Sequence, residues 1–321
     1  MPARPLVSAV IPTLERPQWV VRAVKSALAQ SYAPVEVIVV IDGPDEETES
    51  ALKKITDVRL RVIPLAKHAG GAESRNIGVR AASGEWIAFL DDDDEWLVQK
   101  LERQMQAALQ SGAKYPVVSS RLMAGCVLPR RLYRQGHDMS EYLFCRKGPA
   151  YGDGMMQTST LLAKRELLLE VPLQKGLKRH QDWDWLLKIA QHKDVEIAML
   201  PDALTIMRVG SCGPGVSNSG DWRVSLEWAR ANRLRISARA YSFFITTECV
   251  TRARKAGAGI PALTELLWEC LTRGRPGFRQ MMLFVLFSVL PGEKRRTLRD
   301  RFYRRAGKRF HNDGLHRAFS G

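Results

Sequence analysis

Cysteine is scarce in this chain and carries no pattern. There are five (Cys126, Cys145, Cys212, Cys249 and Cys270), an odd number without a CxxC pair. That excludes a disulfide framework and a cysteine zinc site, and it points to a reducing compartment. Long apolar runs are missing too. The longest candidate, Met281 to Leu290, is interrupted by Ser288 and falls well short of the ~18 residues of a membrane span. The opening MPARPLVSAVIPTL has a single Arg before an apolar segment too short for a signal core, and it reads as a first strand. No GxGxxG follows that strand, so the dinucleotide fingerprint is absent where it belongs. Neither an internal repeat nor a low-complexity linker is visible.

What is present is positive charge. Over 321 residues, 49 Lys and Arg face 34 Asp and Glu, for a net charge of +15. Such a balance predicts an anionic partner: a phosphorylated substrate, a membrane surface or nucleic acid. No RRM, KH or zinc-finger signature accompanies the charge, so nucleic acid is not expected.

Alternation of short apolar runs with helical periods sets the fold class. Leu6–Ile11, Val35–Ile41, Arg59–Ile63 and Trp86–Leu90 read as buried strands. Helices are predicted from Pro17, from Asp45 to Ile55 and from Ala72 to Ala82. This spacing predicts an α/β, doubly wound, mostly parallel sheet, with ligands bound over the carboxyl ends of the strands. The loops at those ends carry Thr13, Glu15 and Arg16, then Asp42, then Asp91-Asp92-Asp93-Asp94.

Four adjacent carboxylates repel one another unless solvent or a cation shares the charge. Hard cations such as Mg2+ or Mn2+ take oxygen ligands and sit between carboxylates and a substrate's phosphates. The alternative is an acidic, solvated turn. Asp42 precedes Gly43-Pro44 and equally suits plain turn chemistry. Lys67, His68 and Arg75 lie near the same rim, where they meet either phosphate or solvent.

The stretches VSAVIPTLERP, VEVIVVIDGPDEET and GGAESRNIGVRAASGEWIAFLDDDDEW occur in this order over roughly the first hundred residues. Together they resemble the nucleotide-sugar-binding half of family 2 glycosyltransferases with the GT-A fold. The resemblance implies that Asp42 holds the nucleotide base, that Asp91 and Asp92 sit against ribose and sugar, and that Asp93, with Asp91, holds the metal. Gly71 and Arg75-Asn76 match the family's GxxxARN-like segment, with Ser74 in place of the usual Ala.

Further on, helices are predicted over Trp96–Gln110 and Lys164–Glu170, and strands over Val117–Met123, Gln157–Ala163, Val195–Met199 and Leu204–Val209. The stretch from Gly125 to Tyr151 is irregular and basic. His180-Gln181-Asp182-Trp183-Asp184-Trp185 leads into a helical period. Asp182 there is either a helix cap or a base, desolvated by the tryptophans and placed to take a proton from an acceptor hydroxyl. The segment is similar to the family's ED-containing base motif, with Gln181 where Glu is often found, which assigns the base to Asp182. Relatives often carry Arg-x-His after the closing strands. Here Arg208 is followed by Val209-Gly210, so the His is absent, and Arg208 is left to meet the leaving group with Ser211 or water as a third contact.

Helices are predicted over Asp221–Arg254, Ala262–Arg273 and Phe278–Leu290. Lys294 to Arg309 then holds nine Lys or Arg against one Asp. An apolar helix followed by a basic segment reads as an interfacial anchor to anionic lipid; a solvated tail is the alternative. The expected organisation is a catalytic domain over 1–215, split into a donor half (1–100) and an acceptor half (101–215), and a basic helical region over 216–321. The expected activity is inverting transfer from a nucleotide-diphosphate sugar to a saccharide or lipid-linked acceptor, on the inner face of the cytoplasmic membrane. Two other readings stand beside it: a nucleotidyltransferase, for which PTLERP is a poor phosphate loop, and a non-catalytic basic membrane-binding protein.

Overall fold

The structure, a computed structural model, describes residues 4–146, 152–208 and 221–290. The chain forms two compact units: residues 1–145, 152–218 and 234–236, and residues 146–151, 219–233 and 237–321.

The first unit opens with β1 (Val7–Thr13), α1 (Pro17–Leu28), β2 (Val35–Ile41), α2 (Glu46–Lys53), β3 (Leu60–Pro64), α3 (Gly71–Ala81) and β4 (Trp86–Phe89). It continues through β5 (Asp94–Trp96), α4 (Lys100–Gln110), β6 (Tyr115–Met123), β7 (Val127–Leu128), α5 (Met139–Phe144), β8 (Leu162–Lys164), α6 (Arg165–Glu170), α7 (Gln181–Ile189) and β9 (Val195–Met207). Among the described residues, these nine strands join one sheet, ordered β3-β2-β1-β4-β8-β6-β9-β5 with β7 on β6.

The first four strands are parallel, as the alternating pattern predicts. Beyond β4 the sheet is mixed: β8 runs antiparallel to β4 and β6, β9 is parallel to β6, and β5 is antiparallel to β9. Because β1 lies between β2 and β4, the chain leaves β1 toward one side and returns on the other. The carboxyl ends of β1, β2 and β4 therefore open side by side at a switch point, the usual crevice of an open α/β sheet.

Two helices fix that crevice. Val20, Ala23, Val24 and Ala27 bury the inner stripe of α1. Gly78 lets α3 lie close on β1, since a Cβ there would come within 2.3 Å of Val10 Cγ1. Any larger residue would push α3, and Arg75 with it, off the sheet.

Four predicted boundaries differ. Gln157–Ala163 is not a strand throughout: Thr158–Thr160 forms a single 3-10 turn before β8. The cause is local, because the Thr160 hydroxyl donates to the Gln157 carbonyl at 2.7 Å and competes with ladder pairing. The predicted Trp96–Gln110 helix begins at Lys100, since Asp94–Trp96 is drawn into pairing with β9. The two closing strands are one, β9, running through Pro201 and Asp202; register shifts around Arg121 of β6 absorb the irregularity.

The fourth difference lies in the second unit. The predicted Asp221–Arg254 helix is α8 (Trp222–Ala231), a 3-10 turn, α9 (Ala238–Phe244), a π turn over Ile245–Cys249 and α10 (Val250–Lys255). Ser237 caps α9, and Thr246 and Thr247 donate back to the Ser242 and Phe243 carbonyls at 2.8 Å, where the helix widens. α11 (Ile260–Arg273) and α12 (Phe278–Val289) complete the unit. Its polar centre is buried Glu269, which takes hydrogen bonds from Arg230 (2.8 Å) and from Tyr241 (2.5 Å). Burial pulls the Glu269 pKa up, but Arg230, Tyr241 and Arg273 together outweigh it and hold the carboxyl below its ordinary range. Among the described residues, no helix is long and apolar enough to cross a membrane.

Candidate active site

The four aspartates that follow β4 occupy four different environments. Asp91 takes an ion pair from Arg75, and its backbone N–H donates to Ser159 Oγ at 2.9 Å. Asp92 is buried, with one oxygen bonded by the Thr13 hydroxyl (2.8 Å) and the other by Arg16 Nη1 (3.0 Å). Desolvation pushes its pKa up to about 6, against the pull of Arg16 and Thr13. Asp93 is partly exposed, 3.3 Å from Arg16 Nη1. Asp94 turns away into β5 and is fully enclosed, accepting from Ser159 (2.6 Å) and Gln157 (2.9 Å). Burial and the neighbouring charge of Asp91 hold its pKa well above the carboxylate range.

Asp94 is therefore a packing group, and of the four only Asp91 and Asp93 keep partly exposed side chains. Among the described residues, no three His, Cys, Asp or Glu side chains converge into a ready-made metal cage. Oxygen donors at Asp91 and Asp93 nonetheless suit a hard cation whose other ligands come from phosphate and water.

Asp42, at the end of β2, is buried and accepts the backbone N–H groups of Ala69 (2.7 Å) and Gly70 (3.1 Å). It ties the β2 turn to the start of α3, and Gly70 permits this with a φ of +86°. His68 Nδ1 lies 2.5 Å from the Asp42 carbonyl and packs over Gly43, which gives it a structural role at the rim. Glu15 is exposed; its backbone N–H donates to Asp45, not to the aspartate cluster.

Arg75 joins the two halves of the first unit. While one arm of its guanidinium meets Asp91, Nη1 donates to Gln181 Oε1 at 3.0 Å. Gln181 in turn donates to the Leu177 carbonyl at 2.8 Å, which anchors the first turn of α7. Gly71 lies beside both, since a Cβ there would be 3.2 Å from Arg75 Nη1 and 3.5 Å from Gln181 Oε1.

Asp182 sits in that first turn of α7, and the cap position belongs to His180, held at a φ of +62°. Asp182 is half-buried, and its Oδ1 accepts the Trp183 N–H at 2.9 Å. Loss of solvation raises its pKa to about 6; the negative charge of Asp91 adds to this and Arg75 opposes it. The Trp183 ring stacks on His180, centroids 4.7 Å apart, with Phe144 edge-on at 5.3 Å. Asp184, two residues on, is buried and ion-paired to Lys188 at 2.8 Å.

Arg208 is not brought to the aspartate cluster. Its side chain donates to Glu95 (2.7 Å) beside the Trp19 ring. The antiparallel register pairs Asp94 with Met207, so the next pair outward would be Asp93 and Arg208. Two-residue alternation puts Arg208 on the face of Ile206 and Glu95, where Glu95 accepts its guanidinium. Val209, Gly210 and Ser211 lie outside the described residues.

Sequence reasoning missed Gln157 and Ser159, which hold Asp94 and the Asp91 backbone. Their only sequence signal is the polar run Gln157-Thr158-Ser159-Thr160, unusual in a segment otherwise read as a strand.

Comparison with known proteins agrees with this fold. Residues 8–167 match the family model described as glycosyl transferase family 2. The amylovoran biosynthesis glycosyltransferase AmsB of Erwinia amylovora is 26% identical over 249 residues, covering 72% of this chain and 79% of AmsB. WfgD of Escherichia coli, a UDP-Glc:alpha-D-GlcNAc-diphosphoundecaprenol beta-1,3-glucosyltransferase, is 29% identical over 133 residues, 40% of this chain and 53% of WfgD. Among solved structures, the mannosyltransferase PcManGT from Pyrobaculum calidifontis, in complex with GDP-Man and Mn2+, matches with a TM-score of 0.56 at 16% identity, covering 89% of this chain and 86% of that one. That likeness supports the GT-A-like fold. Through residues 8–167 the chain belongs to glycosyltransferase family 2, and it is a glycosyltransferase.

Proposed function

We propose that the protein is an inverting, metal-dependent glycosyltransferase that moves a sugar from a UDP-sugar to a lipid-linked saccharide during cell-surface polysaccharide assembly. The observation that carries this reading is the Arg75 bridge. It links Asp91, at the donor strand end, to Gln181 of the turn that presents Asp182, so one guanidinium sets the spacing between donor and base.

In this reading Asp42 and the loop after β1 receive the nucleotide, and Asp91 and Asp92 receive ribose and sugar. Asp93, with Asp91, holds Mg2+ or Mn2+, which when bound offsets charge developing on the departing diphosphate. Arg208 would reach the leaving group by exchanging Glu95 for phosphate. Asp182 takes the proton of the acceptor hydroxyl as that oxygen bonds to the anomeric carbon. The bond from the anomeric carbon to the diphosphate breaks on the opposite face, which inverts the configuration. With a pKa near 6, Asp182 is mostly ionised at neutral pH yet basic enough to share a proton in the transition state.

A UDP donor and an undecaprenol-linked acceptor are supported by what WfgD is named for, polysaccharide assembly by AmsB, and the divalent ion by the Mn2+ bound to PcManGT. Work on a lipid-linked acceptor places the enzyme at the cytoplasmic membrane face, and the basic segment Lys294–Arg309, outside the described residues, favours an anionic surface there.

Calorimetric titration of UDP with Mn2+ and with EDTA tests the donor site. Metal-dependent binding that disappears in Asp93→Ala is expected. UDP binding of equal strength in EDTA would overturn the metal role, and no UDP binding under either condition would overturn the donor.

A further inference from the structure

Surface helices turn polar residues to solvent, but α12 turns an apolar stripe outward as well as inward. Gln280, Phe284 and Phe287 are buried on its inner side. Its outward stripe is Phe278, Met282, Val285, Leu286 and Val289, between 39% and 81% exposed. These positions follow the helical period, so they form one continuous face and not scattered apolar residues. α11 also exposes apolar residues: Leu266, Glu269 and Cys270 are buried, while Ile260, Trp268 and Leu271 are 51% to 76% exposed. Contiguous exposed apolar surface of this kind marks a face that something covers.

Charge identifies the cover. From residue 256 to 290 the acids are Glu265 and Glu269, and both are paired with Arg230. Arg273, Arg275 and Arg279 are exposed around the apolar stripes. The nine cations of Lys294–Arg309 begin within five residues of the end of α12. A second copy would bring another +15 chain against this cationic rim. An apolar stripe ringed by arginine, with an outward Trp, instead matches the interfacial layer of an anionic bilayer.

We infer that α12, with the outward edge of α11, is a membrane-docking face that inserts Phe278, Met282, Val285 and Val289 at the surface of an anionic phospholipid bilayer. This deepens the membrane-side reading of the enzyme above and rests on it for its biological sense. It assigns the hydrophobic part of the contact to these helices and leaves the basic segment the electrostatic part.

The test is sedimentation of the full chain with vesicles of phosphatidylglycerol and phosphatidylcholine, and with phosphatidylcholine alone. The substitutions Met282→Glu and Val285→Glu are combined in one variant; both sites are exposed, so the fold tolerates them. The parent is expected to bind the anionic vesicles, and the double variant to lose roughly tenfold or more in partitioning, about 1.4 kcal/mol. Far-UV circular dichroism and the thermal melt of the variant should match those of the parent, which certifies its fold, and UDP binding should be unchanged. Equal vesicle binding by parent and variant would overturn the inference, as would no binding by the parent. So would a parent dimer in light scattering that the variant disperses, because the occupant would then be a second copy. Failure of UDP titration in both proteins would count against the donor reading and leave the vesicle result standing.

Discussion

Two acidic stretches can be compared within the first unit: Asp91–Asp94 after β4, and Asp182–Asp184 at the start of α7. Each adjoins tryptophan, and each sends one carboxylate inward. Asp94 is enclosed by Ser159 and Gln157, and Asp184 by Lys188. Each keeps another partly exposed, Asp93 and Asp182. Neighbouring aspartates are therefore not equivalent sites. The fold sorts them by burial and partner, and a carboxylate becomes available for chemistry where its partner is loose or its solvation incomplete.

The largest effect should come from breaking the second stretch at Asp182. Asp182→Asn keeps the shape and removes the base, so kcat should fall roughly 10²–10⁴-fold, the usual worth of general-base catalysis. UDP affinity should be nearly unchanged. Asp184→Asn should instead leave kcat within a few-fold of the parent and lower stability, by about 1–3 kcal/mol, because Lys188 loses a buried partner. Steady-state kinetics and thermal melts on both variants decide it. Equal kinetic losses would erase the distinction between the two aspartates.

A middle-sized effect concerns Arg75, which touches both stretches. Asp182 must be ionised to accept a proton, so kcat/KM should rise with pH through a limb near 6. Arg75 pulls that value down, and Arg75→Gln should move the limb upward by about one unit while lowering the plateau roughly tenfold. A lower plateau with an unmoved limb would mean that Arg75 serves the donor side alone.

Much of this was legible in the sequence because the first hundred residues obey local rules. Strands β1, β2 and β4 are apolar runs long enough to be buried on both faces, and the turn at the end of each places the polar residues just beyond it. That brought Thr13, Arg16, Asp42 and Asp91–Asp93 to one edge on pattern alone. Asp94 was illegible for the opposite reason: its role depends on Ser159 and Gln157, more than sixty residues away in sequence. Arg208 depends likewise on a register that turns it to Glu95. The mixed half of the sheet departs from expectation where side chains compete with the backbone, as at Thr158–Thr160, or where a bulge lets a strand run through Pro201. The α12 period and its interfacial reading were visible, but which of its residues turn outward was not, since that depends on the helices it packs against.

The smallest effect sharpens the comparison through stability. Folding raises the Asp182 pKa from 3.8 to about 6, so between these values the native state holds the extra proton. The favourable contribution of Asp182 is then complete below its unfolded value and lost as pH rises through 6. At neutral pH the fold carries a charge that it disfavours, and Asp182→Asn should be the more stable protein. Two pKa units convert to about 3 kcal/mol, but partial exposure screens the site, and a gain on the order of 1 kcal/mol is expected. Urea titrations at pH 5 and pH 7.5 should show the full gain at the higher pH and about half of it at the lower. A variant that is less stable at both would mean that the Trp183 N–H and Arg75 already compensate the charge, and that the base is held ready by its partners and not by desolvation.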